Sequence, residues 1–467
     1  MAQTSIIIRL ELDHRKISFG DVAAVISKVK GDITSIDVIR PGQDVSIRDI
    51  TVDIADKDEA IIEQALRELD GIQVINISDR TFLVHLGGKI TIQPTLPIKN
   101  RDDLSKVYTP GVARVCTAIA DNPSKAYSLT IKRNTVAVIS DGTAVLGLGD
   151  IGPYAAAPVM EGKAMLFKQL AGVDAFPICL DTQDTEEIIR TIKAISPIFG
   201  GINLEDISSP RCFEIETRLI EELEIPVFHD DQHGTAVVVI AGLLNALKVV
   251  GKRLDNIRVV VNGIGAAGVS ICKMLLQAGV NHLVPVDKEG AIVRGETYSN
   301  TAWQWLADQP QVESKPGTLQ EVIQDADVFI GVSRGRLLSE EDVKRMAPRS
   351  IVFAMANPEP EITPEEVLPH VAVFATGRSD YPNQINNVLV FPGLFRGALD
   401  CRARLINEPM KLAAARAIAS VVSATELNET YIIPSIFNEQ VVTQVRRAVI
   451  EAAILTNVAR RTPPEFR

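Results

Sequence analysis

Two acidic pairs, Glu205-Asp206 and Asp230-Asp231, stand where apolar runs end. The run before the first, Phe199–Leu204, reads as a strand. The second follows Glu224-Ile225-Pro226-Val227 and precedes Thr235–Leu244, a segment long and apolar enough for a buried helix. In open α/β sheets this edge, where strand gives way to helix, is where ligands bind. Taken alone, Asp231 also reads as a cap of the following helix and Asp230 as a solvated side chain. Four clustered carboxylates repel one another unless a cation sits among them. Oxygen donors of this kind suit Mg²⁺ or Mn²⁺ rather than zinc. The nearby His229 and His233 read as packing or supporting groups. Lys163 lies in the otherwise apolar run Pro158–Lys168. It is either a lysine whose stem snorkels to solvent or a buried amine that acts as a general base. Tyr108, just before the turn Pro110-Gly111, is either a packed aromatic or an exposed phenol at a site.

A nucleotide motif follows. Ile257–Val261 reads as a buried strand, and Asn262-Gly263-Ile264-Gly265-Ala266-Ala267-Gly268 completes G-x-G-x-x-G before a helix. Gly263 serves the tight turn, Gly265 the close approach of a pyrophosphate, and Gly268 the helix–strand packing. The helix N-terminus supplies N–H donors. Asp287 closes the next strand about 20 residues on, where an acid accepts bonds from the adenosine ribose. Such an acid repels a 2′-phosphate, so NAD is expected over NADP. Asn357, after the strand Ile351–Ala356, is expected on the cofactor side of the sheet. Asn386 and Asn387 can orient a nicotinamide or a substrate carboxylate, or can serve turn chemistry. The glycine-rich Asp141–Pro153 reads as a substrate loop, because its third glycine is displaced to Gly152.

The elements that must position these groups fall into four segments. Residues 1–88 show the order β-α-β-β-α-β, a split βαβ, ferredoxin-like pattern, with a last short strand expected at Phe82–Leu86. Residues 89–234 hold the acidic pairs and Lys163, and 235–386 read as a Rossmann-type domain. Residues 387–467 read as helices packing back on the second segment. The fold class is thus α/β. The length of 467 residues fits several domains, and a net charge of −11 argues against a general nucleic-acid binder. Five dispersed cysteines without a Cys-x-x-Cys fit a reducing compartment, so a cytoplasmic location is expected. The N-terminal apolar run is too short for a signal peptide. No stretch reaches about 18 uninterrupted apolar residues, so no membrane span is expected.

From about residue 95 onward the chain resembles the malic enzymes, specifically the compact bacterial kind. The resemblance rests on Tyr108-Thr109-Pro110-Gly111-Val112-Ala113, Gly147-Leu148-Gly149-Asp150, Gly162-Lys163 and Leu204-Glu205-Asp206. It continues through Asp230-Asp231 with Gly234-Thr235, Asn357-Pro358, and Asn386-Asn387 before Phe391-Pro392-Gly393. It implies NAD-linked oxidative decarboxylation of L-malate to pyruvate, or the malolactic variant that keeps NAD bound and releases lactate. It further implies Glu205, Asp206 and Asp231 as ligands of Mg²⁺ or Mn²⁺, Lys163 as base, Asp230 as its support and Tyr108 as acid. Asn357 and Asn387 would contact cofactor and substrate. Larger eukaryotic members carry a substrate-binding arginine where this chain has Ala144. A nucleotide-binding protein without catalysis is the competing class, and the complete acidic quartet with Lys163 and Tyr108 argues against it. Residues 1–88 resemble ACT domains, which bind small effectors across paired copies, although the usual Pro-Gly after the first strand is missing at Lys16–Gly20. The alternative for this segment is a plain dimerisation or packing module, and a homodimer or homotetramer is expected.

Overall fold

Alternating apolar residues build the first sheet. Along β1 (Gln3–Asp13), Ile6, Ile8, Leu10 and Leu12 fall on one face and are fully buried. In this computed structural model, which describes residues 3–55 and 59–467, the chain divides into Met1–Gln93 and Pro94–Arg467. In the first unit β1 pairs antiparallel with β3 (Val45–Ala55) and β4 (Ile72–Asp79), and β2 (Asp32–Arg40) gives the order β2-β3-β1-β4. Val22 and Ile26 from helix Phe19–Lys28, and Ile62 and Leu66 from helix Glu59–Arg67, cover the apolar face. The first of these helices is fixed by a capping box between Ser18 and Asp21. The sequence pattern places this second helix at Asp58–Leu69, and its first residue lies outside the described residues.

The strand expected at Phe82–Leu86 is instead the helix Arg80–His85. Asp79 decides this: its carboxylate accepts the Thr81 N–H at 2.6 Å and caps a helix at the point where β4 ends. The local cap outweighs the β-favouring composition of the segment.

The second unit holds two sheets. β5 (Thr135–Ser140), β6 (Asp174–Cys179), β7 (Gly201–Leu204) and β8 (Val227–His229) form an all-parallel sheet in the order β6-β5-β7-β8. The other comprises β9 (Arg258–Asn262), β10 (His282–Asp287), β11 (Gly290–Ala291), β12 (Val328–Gly331), β13 (Ile351–Ala354) and β14 (Val373–Thr376). Its order is β11-β10-β9-β12-β13-β14, parallel but for the short β11. The strand order reverses on either side of β9, which opens the crevice where dinucleotides bind in this architecture.

One apolar core joins the two sheets, running from Val136 and Val138 of β5 through Val237–Leu247 to Val259 and Val261 of β9. Its centre is the helix Thr235–Val250 with the turn that precedes it. Asp230–Val250 has the length of a membrane helix, and an 18-residue stretch within it has a mean hydropathy of 1.7, yet 72% of that stretch is buried inside the unit. It is the core helix of an α/β unit. The C-terminal helices Phe391–Asp400, Glu408–Val421 and Gln440–Leu455 enter the same core. Phe391 and Phe395 meet Phe167 with ring centroids 4.7 and 5.4 Å away.

Candidate active site

The C-terminal edges of β7 and β8 bring the two acidic pairs together. Glu205-Asp206 follows β7 directly, with Asp206 in the left-handed region at φ 54°. Asp230-Asp231 opens the turn Asp230–Gly234, which has π-helical hydrogen bonding and leads into the core helix. Asp231 does not cap that helix: no side-chain cap bond is made there, and its Oδ2 accepts the Asp206 N–H at 2.8 Å. The two pairs are therefore tied to each other across neighbouring strands.

Lys163 enters from helix Gly152–Ala171 and is only 7% exposed. Its Nζ donates to Glu205 Oε1 at 2.8 Å and to Asp230 Oδ2, and lies 4.1 Å from the Phe391 ring centroid. Asp230 Oδ2 also accepts from Asn387 Nδ2, and Glu205 Oε2 accepts from Asn203 Nδ2 at 2.8 Å. The lysine is thus a buried ion-paired amine and does not snorkel. Burial opposes its charge, but the carboxylates of Asp230 and Glu205 outweigh burial and hold the ammonium above its ordinary range. The acids are pushed the other way. Burial, then Asp231 and Glu205, push Asp206 up to about 9, and burial leads the rise of Asp230 to about 8.

One ammonium does not compensate four carboxylates. Asp206 Oδ2 and Asp230 Oδ1 are buried without a hydrogen-bond partner. Among the described residues no three acidic or imidazole side chains already converge as a ligand set. The donor chemistry nonetheless fits a hard divalent cation: oxygen-only ligands, a surplus of negative charge and orphaned carboxylate oxygens.

The residues expected at the cofactor gather at the second sheet. Gly263 holds φ +100°, and a Cβ there would lie 2.7 Å from Ser333 Cβ. At Gly268 a Cβ would lie 2.0 Å from the Gly263 carbonyl, so helix Ala266–Ala278 packs against the turn only because this residue is glycine. Gly265 has open space around its Cβ position. Asp287 lines a cavity of about 580 Å³ with Asn262, Gly263, Ser333 and Arg334. Its Oδ1 accepts the Lys288 N–H at 2.6 Å. Asn357 follows β13, and its carbonyl meets the glycine-rich loop at Gly147, where a Cβ would come within 2.9 Å. Ala144, also in that loop, donates its N–H to the Asp206 carbonyl at 3.0 Å.

The remaining expected residues behave differently. Asn386 spends its side-chain oxygen on the Val388 N–H at 2.9 Å, a local turn bond, while Asn387 reaches Asp230. Tyr108 ends helix Arg101–Val107 with 67% exposure, outside the hydrogen-bonded cluster around Lys163. Two buried acids escaped the sequence reading. Glu361 accepts the N–H groups of Ser333 at 3.2 Å and Ala356 at 3.1 Å, bridging the ends of β12 and β13 beside the cofactor crevice. Its only sequence signal is a glutamate flanked by Pro360 and Ile362. Glu216 accepts from His229 N and faces His233, and nothing local marks it.

A Rossmann-type sheet beside a second parallel sheet, with a lysine and acidic pairs at its edge, defines a nicotinamide-dependent oxidoreductase. Comparison with known proteins narrows the class. The malic enzyme N-terminal domain matches residues 87–220, and the malic enzyme NAD binding domain matches residues 232–454. An NAD-dependent malic enzyme of Geobacillus stearothermophilus is 66% identical over 98% of this chain and 96% of its own. A bifunctional malic/malolactic enzyme of Bacillus subtilis is 55% identical over 80% of this chain and 92% of its own. The crystal structure of a Pyrococcus horikoshii malic enzyme superposes with a TM-score of 0.77 at 49% identity, covering 80% of this chain and 89% of that one. The chain belongs to the malic enzyme family.

Proposed function

We propose that this protein is an NAD-linked, divalent-metal-dependent enzyme that oxidises L-malate at C2 and decarboxylates the product to pyruvate and CO₂. The observation that carries the reading is the buried Lys163 amine clasped between Glu205 and Asp230, at the edge where the second acidic pair also converges. Glu205, Asp206 and Asp231 would hold Mg²⁺ or Mn²⁺, which supplies Lewis-acid polarisation of the C2 oxygen. Gly263, Gly265, Gly268 and Asp287, with Asn357 at the strand end, would hold NAD, which would supply the hydride acceptor for C2.

The chain's own residues handle the protons. Lys163 must shed its proton to accept the one on the C2 hydroxyl. Its ammonium is sustained by the charge of Glu205 and Asp230, and burial acts in the opposite direction. When the charge on those carboxylates is neutralised, burial favours the free amine, which then serves as base. Asp230, held by Asn387, keeps Nζ aimed at the site. Tyr108, on an exposed helix end, presents a phenol that protonates C3 of enolpyruvate after CO₂ leaves. Asn386 and Asn387 flank the substrate side.

A second reading, release of lactate with NAD retained, is favoured by the likeness to the bifunctional Bacillus subtilis enzyme. Absorbance of NADH formed from malate separates the two. The same assay, run with NAD or NADP and with excess chelator, tests the core reading. NADH should accumulate with Mg²⁺ or Mn²⁺ only, and full turnover in chelator overturns the metal assignment.

Residues 1–88 act as a ferredoxin-like, ACT-like module. The missing Pro-Gly leaves contact between copies as its better-supported role, with a small effector as its second. The edge strand β2 exposes Ile36, Val38 and Ile39 at 43, 53 and 51%. An uncovered apolar edge calls for a partner, so the enzyme works as a homodimer or homotetramer. Five free cysteines support a cytoplasmic setting.

A further inference from the structure

Behind the Asp230-Asp231 turn lies a second buried charge cluster that the reaction does not use. Glu216, on helix Arg211–Glu222, is buried, and both of its carboxylate oxygens are engaged. Oε1 accepts the His229 N–H at 2.8 Å, and Oε2 lies 2.8 Å from His233 Nε2. His233 Nδ1 lies 3.0 Å from Lys411 Nζ, and Lys411 also donates to Glu408 Oε1 at 2.8 Å. An ammonium has only donors, so His233 Nδ1 must accept. The imidazole proton then sits on Nε2 and points at Glu216. The chain Lys411–His233–Glu216 thereby fixes one tautomer and one ring orientation.

These bonds land on both sides of the acidic pair. His229 immediately precedes Asp230, and His233 follows Asp231 by two residues. The turn between them has no side-chain cap of its own. Beyond the bonds that Asp230 and Asp231 make themselves, it is held from outside, by the helix Arg211–Glu222 and by a lysine from the helix Glu408–Val421.

We infer that Glu216, buttressed by His233 and Lys411, is the positioning group of the acidic turn and sets the enzyme's affinity for its divalent cation. The inference rests on the metal reading above. Groups that orient metal ligands through hydrogen bonds typically change affinity 10–100-fold when altered. In Glu216→Gln one oxygen remains to accept, while an amide N–H₂ confronts the other donor, so the turn loses one of the two bonds that Glu216 makes to it.

The test measures Mn²⁺ binding to the metal-free full-length protein by calorimetry, and NADH binding by fluorescence, for wild type, Glu216→Gln, Lys411→Met and Asp231→Asn. Glu216→Gln should raise the Mn²⁺ Kd about 10- to 100-fold, and Lys411→Met should raise it less but in the same direction. Both should leave the NADH Kd and the KM for NAD unchanged. A folded Glu216→Gln or Lys411→Met with wild-type Mn²⁺ affinity overturns the inference. So does an equal loss of NADH affinity, or failure of both variants to fold, because either would make the cluster a general part of the core. Asp231→Asn separates the two readings. If it too binds Mn²⁺ normally, the metal assignment itself has failed. If it alone loses Mn²⁺, only the positioning role has.

Discussion

Gly234 offers a sharp test of the Lys163–Asp230 arrangement. Its backbone is ordinary right-handed helix, φ −61° and ψ −46°, so alanine is conformationally acceptable there. By intrinsic propensity alone, Gly→Ala within helical backbone is favourable by about 1 kcal/mol. The space is what forbids it. A Cβ at residue 234 would lie 2.0 Å from Asp230 Oδ1, 2.8 Å from Asp230 Cγ and 3.3 Å from Asn387 Cβ, whereas real Cβ contacts essentially never fall below 3.0 Å. The Asp230 carboxylate must therefore shift by about 1 Å or more. Its other oxygen is held by Lys163 and Asn387, so the shift drags or breaks those bonds. A misplacement of about 1 Å at reacting groups costs about 100-fold in rate, or about 2.7 kcal/mol of barrier. The expected result for Gly234→Ala is a kcat lower by about two orders of magnitude, read as NADH absorbance at saturating malate, NAD and Mn²⁺. NADH affinity should not change. The helix-propensity gain offsets part of the strain, and in a unit as large as Pro94–Arg467 about 1 kcal/mol shifts Tm by no more than about 2–4 °C. A folded Gly234→Ala enzyme with wild-type kcat would refute the claim that Asp230 positions the base.

Lys163→Ala should abolish malate oxidation while leaving NADH binding, measured by fluorescence, intact. Tyr108→Phe should impair pyruvate release most; pyruvate formed at the wild-type rate would remove the phenol from the acid role. Asp287→Ser should narrow or reverse the preference for NAD in paired kcat/KM measurements with NAD and NADP, and a native preference for NADP would show that Asp287 does not read the ribose. Truncation at Gly88 should keep measurable malate-dependent NADH formation with weaker association by light scattering. A truncated chain that folds, stays assembled and has no turnover would give the first unit a catalytic share.

What the sequence determined by itself was mostly local. Gly263, Gly265 and Gly268 between a strand and a helix are legible because each glycine answers a constraint within a few residues, and a Cβ at Gly268 would strike the Gly263 carbonyl. The alternation along β1 is legible because a strand's faces repeat every second residue. The acidic pairs were found because each follows its strand directly. The departure at Phe82–Leu86 is also local: Asp79 caps a helix, and the cap outweighs the β-favouring residues that follow. Tertiary structure decided which group partners which. Whether Asp231 capped its helix or met Asp206, and whether Lys163 snorkelled or was clasped by Glu205 and Asp230, depended on the order of β5, β7 and β8. Nothing within a turn of those residues encodes that order. The same holds for Asn387, which reaches Asp230 while its neighbour Asn386 closes a turn. It holds most for Glu216, His233 and Lys411, the last two separated by 178 residues. A buried charge is tolerated only when folding delivers its partner, and partners that arrive from distant elements leave no period, cap or spacing in the chain.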